Sequence, residues 1–129
     1  MDLHTNFSIK TYEGGYDKNF SYLITCNKTN AQILIDAAIS INKVYKDIIS
    51  DSLTILITHS HRDHIEYLDQ YITQFPKSII RGHVKSSLAA YLENFKVIND
   101  NKNFIVGNLK FKSIYPPGHY FDSICFKLG

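Results

Sequence analysis

The sequence predicts a protein of the α/β (or α+β) class built from layered sheets. Three observations lead there. Two short apolar runs, Ile33-Leu34-Ile35 and Leu53-Thr54-Ile55-Leu56-Ile57, stop on polar residues, Asp36 and Thr58, as strands covered on both faces do. Apolar residues then recur at helical spacing after each run. The last third changes to an antiparallel grammar around Gly107-Asn108, a two-residue hairpin signal.

Each element can be read in turn. Phe7, Ile9 and Thr11 alternate with polar neighbours in a half-buried strand that stops at Gly14-Gly15. A second strand covers Phe20-Ser21-Tyr22-Leu23-Ile24, and Asn27-Lys28-Thr29-Asn30 is the turn after it. Gln32 opens the third strand, which ends on Asp36. Ser40 is a good N-cap for a helix carrying Ile41, Val44 and Ile48 on one face. After the strand over 53–57, Ile65, Leu68, Ile72 and Phe75 mark a helix closed by Pro76. Ser78-Ile79-Ile80-Arg81 is a short strand, and Val84, Leu88, Tyr91, Leu92 and Phe95 mark a third helix. Phe104 and Val106 precede the hairpin turn, and Leu109, Phe111, Ser113 and Tyr115 alternate with lysines beyond it. Pro116-Pro117-Gly118 is a rigid loop leading to His119, and Ile124, Phe126 and Leu128 begin a last strand.

Composition narrows the function classes. A chain of 129 residues, 44% hydrophobic and 20% charged, suits one soluble globular domain, 1–129. Its 14 basic and 12 acidic residues are scattered, so the sequence shows no basic run of the kind a nucleic-acid binder uses. No apolar stretch reaches membrane-spanning length and no secretory leader is visible, which makes the cytoplasm the expected location and a membrane partner unexpected. Cys26 and Cys125 lie far apart; we expect two buried or half-buried thiols in a reducing compartment rather than a disulfide.

The chemistry concentrates in Thr58-His59-Ser60-His61-Arg62-Asp63-His64, directly after a buried strand. Layered α/β folds place sites at such strand ends. In extended backbone His59 and His61 point the same way and can meet one metal ion. Asp63 and His64 fall where the chain turns into the next helix and aim elsewhere. The spacing suits two neighbouring metal positions, or one metal with Asp63 as a catalytic carboxylate base. Catalytic zinc takes three protein ligands and keeps one position open for water. His119, on the loop stiffened by Pro116-Pro117-Gly118, is the expected third ligand. His83 follows a strand and is a further candidate for the same rim, whereas His4 is expected to be solvated. Asp36 ends the other buried strand and needs a hydrogen-bonded task there, either accepting from a ligand imidazole or nearby backbone, or capping a turn.

These residues resemble the metallo-β-lactamase superfamily, and within it the glyoxalase II-like thioester hydrolases. The resemblance is carried by His59-Ser60-His61-Arg62-Asp63-His64, by Pro117-Gly118-His119 and by the strand ending in Asp36. It implies the N-terminal part of an αββα sandwich with one or two metal ions at its edge, zinc by preference and iron or manganese as alternatives. His59, His61 and His119 would hold the first ion, and Asp63 and His64 would contribute to the second. The implied activity is that of a metal-dependent (zinc) hydrolase, metal-bound hydroxide attacking a carbonyl. A small molecule such as a glutathione thioester would be the substrate. The sequence departs from the pattern in three places. Ile65-Glu66-Tyr67 stand where the helix usually opens on glycines, and Ala37-Ala38 follow Asp36 in place of a glycine-containing turn. The family pattern, with a bridging Asp and a final His, also continues beyond the strand that begins at Ile124, so the domain is expected to be truncated on its C-terminal side. Other readings stay open: a non-catalytic, truncated or degenerate metal-binding half-domain that self-associates over its open face, or a member resembling the non-haem iron persulfide oxygenases or the RNA-processing nucleases.

Overall fold

The computed structural model describes residues 7–14, 19–58, 65–83, 95–115 and 125–128. A six-stranded sheet runs in chain order: β1 (Phe7–Gly14), β2 (Asn19–Cys26), β3 (Gln32–Ile35), β4 (Thr54–Leu56), β5 (Ile79–His83) and β6 (Phe95–Ile98). The first two pairings are antiparallel, Tyr22 standing opposite Ile35, and the last three are parallel. A second sheet of three antiparallel strands follows, β7 (Asn103–Val106), β8 (Leu109–Ile114) and β9 (Cys125–Leu128). Two α-helical segments, α1 (Ile41–Val44) and α2 (Leu68–Gln74), and a 3₁₀ turn over Tyr45–Asp47 complete the described elements.

Strand alternation sorts the side chains of the first sheet into two cores. Leu23, Leu34, Ile55 and Ile80 face the helices, where Val44, Leu68 and Tyr71 pack on them. Ile24, Ile33 and Leu56, each one residue away, face the second sheet and meet Leu109 and Phe111. Phe104 stacks on Phe111 at 5.3 Å and takes Phe126 edge-on at 6.1 Å. Among the described residues the layers are therefore helix, sheet and sheet, consistent with part of an αββα sandwich.

The junction between the sheets depends on one glycine. Val106 pairs with Leu109, leaving Gly107 and Asn108 as the two-residue loop, with Gly107 at φ +60°. A Cβ there would sit 2.4 Å from Thr29 Oγ1 and 2.9 Å from Ala31 Cβ, so the tip of the hairpin closes directly on the turn between β2 and β3. Cys26 lies in the same contact. Burial pushes its thiol up, but hydrogen bonds to the sulfur from the Thr29 hydroxyl and from the backbone N–H groups of Asn108, Thr29 and Lys28 outweigh this and bring it down to about 7.

Three expectations need correction. The helix after Ser40 stops at Val44, passes through one 3₁₀ turn at Tyr45–Asp47, and leaves Ile48 extended. The cause is competition for its backbone: buried Gln32 donates to Asp47 O (2.9 Å) and accepts from Ile49 N (2.8 Å) and Ser50 N (3.0 Å). Tyr12 and Lys10 hold the Asp47 carboxylate from the other side, and the Tyr12 hydrogen bond keeps that carboxyl below the usual range. Phe95 opens strand β6, parallel to β5, rather than closing a helix; the helix expected over 84–94 lies outside the described residues. Both cysteines are free, Cys26 buried and Cys125 exposed on the outward face of β9 rather than buried. Among the described residues no helix is long and apolar enough to cross a membrane.

Candidate functional site

The parallel strands bring three chain ends to one edge. β3 ends at Ile35 and Asp36, β4 at Leu56 with Ile57 and Thr58 beyond it, and β5 at His83. Leu56 stands beside Arg81 in the ladder, so His83 lies level with Thr58, the residue that leads into His59.

Asp36 organises this edge. Its backbone adopts the left-handed region (φ +62°), an uncommon conformation for a residue with a side chain but one that Asp tolerates better than most. Asp36 therefore makes the sharp turn itself, and Ala37 and Ala38 directly after it are buried. The buried carboxylate grips Thr58 with both oxygens, accepting from the backbone N–H at 2.8 Å and from the hydroxyl at 2.7 Å. Two further ties hold the turn. Ser21 Oγ donates to Asp36 O (3.0 Å) and accepts from Ala38 N (3.2 Å), and Tyr67 N donates to Ala37 O (2.9 Å). The exit of the chain toward His59 is thus clamped from β2, from β3 and from the start of α2.

The second sheet reaches the same edge. His83 is buried, and its ring stacks on Tyr115 with centroids 3.9 Å apart. Tyr115 follows β8 directly; its N–H donates to Asp100 Oδ1 (2.8 Å) and its hydroxyl to Ile98 O at the end of β6. Ser113, two residues earlier, exchanges backbone hydrogen bonds of 2.9 Å with Asn101 and Lys102. The segment that continues to His119 therefore leaves from a fixed point beside β5. On the other flank, Phe20 and Tyr22 stack at 6.4 Å on the face of β2 that looks toward the second sheet, and both are exposed.

His59, His61, Asp63, His64 and His119, with His4, lie outside the described residues. Among the described residues no group of three or more His, Cys, Asp or Glu side chains gathers as a metal site. What the structure brings together is the frame: Asp36 with Thr58, and His83 with Tyr115. The sequence context does not single out Ser21 or Tyr115 as functional, and it names Thr58 only as the opening residue of the His-rich stretch. Thr58 does carry a signal, as the first hydroxyl after an apolar strand and the immediate neighbour of a histidine.

No family model matches the chain. It is 31% identical over 118 residues to a probable hydroxyacylglutathione hydrolase of Schizosaccharomyces pombe, matching 87% of this chain and 44% of that protein. It is 26% identical over 125 residues to the probable polyketide biosynthesis zinc-dependent hydrolase BaeB of Bacillus velezensis, matching 94% of this chain and 55% of that one. Among solved structures, a metallo-beta-lactamase from Staphylococcus aureus superposes over 96% of this chain with a TM-score of 0.75 at 22% identity, covering 37% of its own length. This chain has the metallo-β-lactamase fold. It spans about half the length of the curated relatives it matches, and the matched region is their N-terminal part. The similarity to hydroxyacylglutathione hydrolases agrees with the glyoxalase II-like resemblance read from the His-rich stretch.

Proposed function

We propose that this chain carries the metal-binding half of a metal-dependent hydrolase acting on a thioester, with an acylated glutathione as the substrate class. Support comes from the relatives named hydroxyacylglutathione hydrolase and zinc-dependent hydrolase. The single observation that carries it is geometric. Thr58 and Tyr115, the described residues that precede the two histidine-bearing segments, leave from the same edge of the sandwich, joined through the neighbouring His83.

The donor set fits zinc: imidazoles of His59, His61 and His119 for one ion, and Asp63 with His64 toward a second. A zinc ion bound there would act as a Lewis acid and lower the pKa of a coordinated water. The chain's own residues do the rest. Asp36 holds the Thr58 backbone so that His59 and His61 start from a fixed direction, the task of a supporting shell. Tyr115 does the same for the His119 loop through its contacts to His83, Asp100 and Ile98. With a single ion bound, Asp63 would instead be free to serve as the carboxylate base that takes up a proton. Phe20 and Tyr22 offer an apolar wall for the acyl chain beside the same edge.

The test is metal content and thiol release together. The purified chain should bind zinc, His59→Ala and His119→Ala should each lose it, and a glutathione thioester should release free thiol in a zinc-dependent way. Zinc retained by both variants would show that the ligand assignment is wrong. Zinc binding without thiol release would assign this chain to the non-catalytic metal-binding half-domain instead.

A further inference from the structure

The fold assembles a cluster of charge that the sequence scatters. In the second sheet Leu109, Phe111 and Ser113 point inward and are buried, so Lys110 and Lys112 point outward from β8. Lys127 points outward from β9, and the ladder sets it directly opposite Lys112, whose other neighbour is Asn103 on β7. Directly opposed residues in an antiparallel pair have Cβ atoms about 5 Å apart, and like charges so placed repel. Lys110, two residues from Lys112, adds a third lysine on the same face about 7 Å along the strand. No Asp or Glu occurs in any of the three strands. None of the three lysines makes an ion pair with a described residue. The lysines, with Asn103, Phe104, Ile105 and Phe111, line an open cavity of about 420 Å³.

We propose that this face binds a small phosphorylated molecule, its phosphoryl oxygens held by Lys110, Lys112 and Lys127 and its apolar part resting on Ile105. Charge complementarity selects the ligand. Three lysines sharing one face without a counter-charge among the described residues suit a compact, multiply charged anion, and lysine serves such a group as a point charge. The apolar partner follows from Ile105, which stands opposite Lys110 and is 62% exposed. The cavity has the size of a small-molecule site. A nucleic acid would ask for an extended basic stripe, and this patch spans two strands of a chain whose net charge is only +2. The face looks away from the layer between the sheets, so the inference does not depend on the hydrolase reading.

Inorganic pyrophosphate is the first probe, followed by thermal melting and calorimetric titration at constant ionic strength. Pyrophosphate should raise the melting temperature saturably. Lys112→Gln and Lys127→Gln should each weaken binding about tenfold, the worth of one charge-assisted contact. Without ligand the same variants should melt no lower than the parent, because each removes a repulsion. A nucleoside diphosphate should bind more tightly than pyrophosphate, and Ile105→Ser should cancel that gain. Repeating the titration in His59→Ala separates this face from any anion held by a metal ion. The proposal is overturned if sodium chloride at equal ionic strength stabilises as much, if the lysine variants bind like the parent, or if binding disappears in His59→Ala. An oligonucleotide that binds through these lysines more tightly than either probe would assign the face to nucleic acid instead and overturn it as well.

Discussion

Replacing Asp36 separates the two tasks that the residue performs, making a left-handed turn and gripping Thr58. Asp36→Ala removes both carboxylate hydrogen bonds, 2.8 Å to the Thr58 N–H and 2.7 Å to its hydroxyl. Hydrogen bonds to a charged acceptor contribute about 1.5–3 kcal/mol each. Thr58 is only half-buried, so water can recover part of the loss, and about 2–4 kcal/mol remains. A methyl side chain at φ +62° adds about 1 kcal/mol of backbone strain. Asp36→Gly loses the same carboxylate without that strain, and Asp36→Asn keeps the turn and one acceptor oxygen, for a loss of about 1–2 kcal/mol. Urea unfolding should therefore rank the variants Asn, Gly, Ala in order of increasing destabilisation. Asp36→Asn, the most stable of the three, should also bind zinc about 10–100-fold more weakly. An Ala variant within about 1 kcal/mol of the parent would refute the brace. An Asn variant with parental zinc affinity would refute its connection to the histidines.

Other predictions follow from the same geometry. Gln32→Leu strands the N–H groups of Ile49 and Ser50 and should cost about 2–4 kcal/mol, with faster amide exchange at those two positions. Gly107→Ala drives a Cβ into Thr29 and Ala31 at positive φ and should cost about 2 kcal/mol or more in chemical unfolding, whereas Asn108→Ala should cost much less. The thiol of Cys26 sits lower in the fold, at about 7, than its ordinary value of 9.0, so its contribution is complete above pH 9 and is lost as pH falls through 7. Stability measured from pH 6 to 9 should rise more in the parent than in Cys26→Ala; parallel profiles would remove the thiolate from the account. Under the proposed hydrolase function, Phe20→Ala should raise KM for a long-chain acyl thioester more than for a short one with kcat little changed, and equal effects on both would remove the aromatic pair from the acyl path.

Much of the fold was legible because period and punctuation agreed. Gln32–Ile35 reads as a strand from its apolar run and is one, and the hairpin falls on Gly107-Asn108 because few other residue pairs turn that tightly. The errors occur where a side chain competes with the local pattern. Ile48 has helical spacing from Ile41 and Val44, yet Gln32, sixteen residues earlier, takes the backbone groups a longer helix would need. Phe95 matches a helical face and a strand equally well, and only pairing with Ile80 decides between them.

By itself the sequence determined the layered class, the clustering of His and Asp residues within 59–64 and the position of the hairpin. These depend on neighbours along the chain and on the few side chains able to bind metal or move protons. Tertiary structure alone decided that Asp36 grips Thr58 across 22 residues, that Tyr115 meets His83, and that Lys110, Lys112 and Lys127 share one face. The reason is register. Contacts across a sheet depend on which residues stand level in adjacent strands, and a shift of one residue would send each side chain to the opposite face.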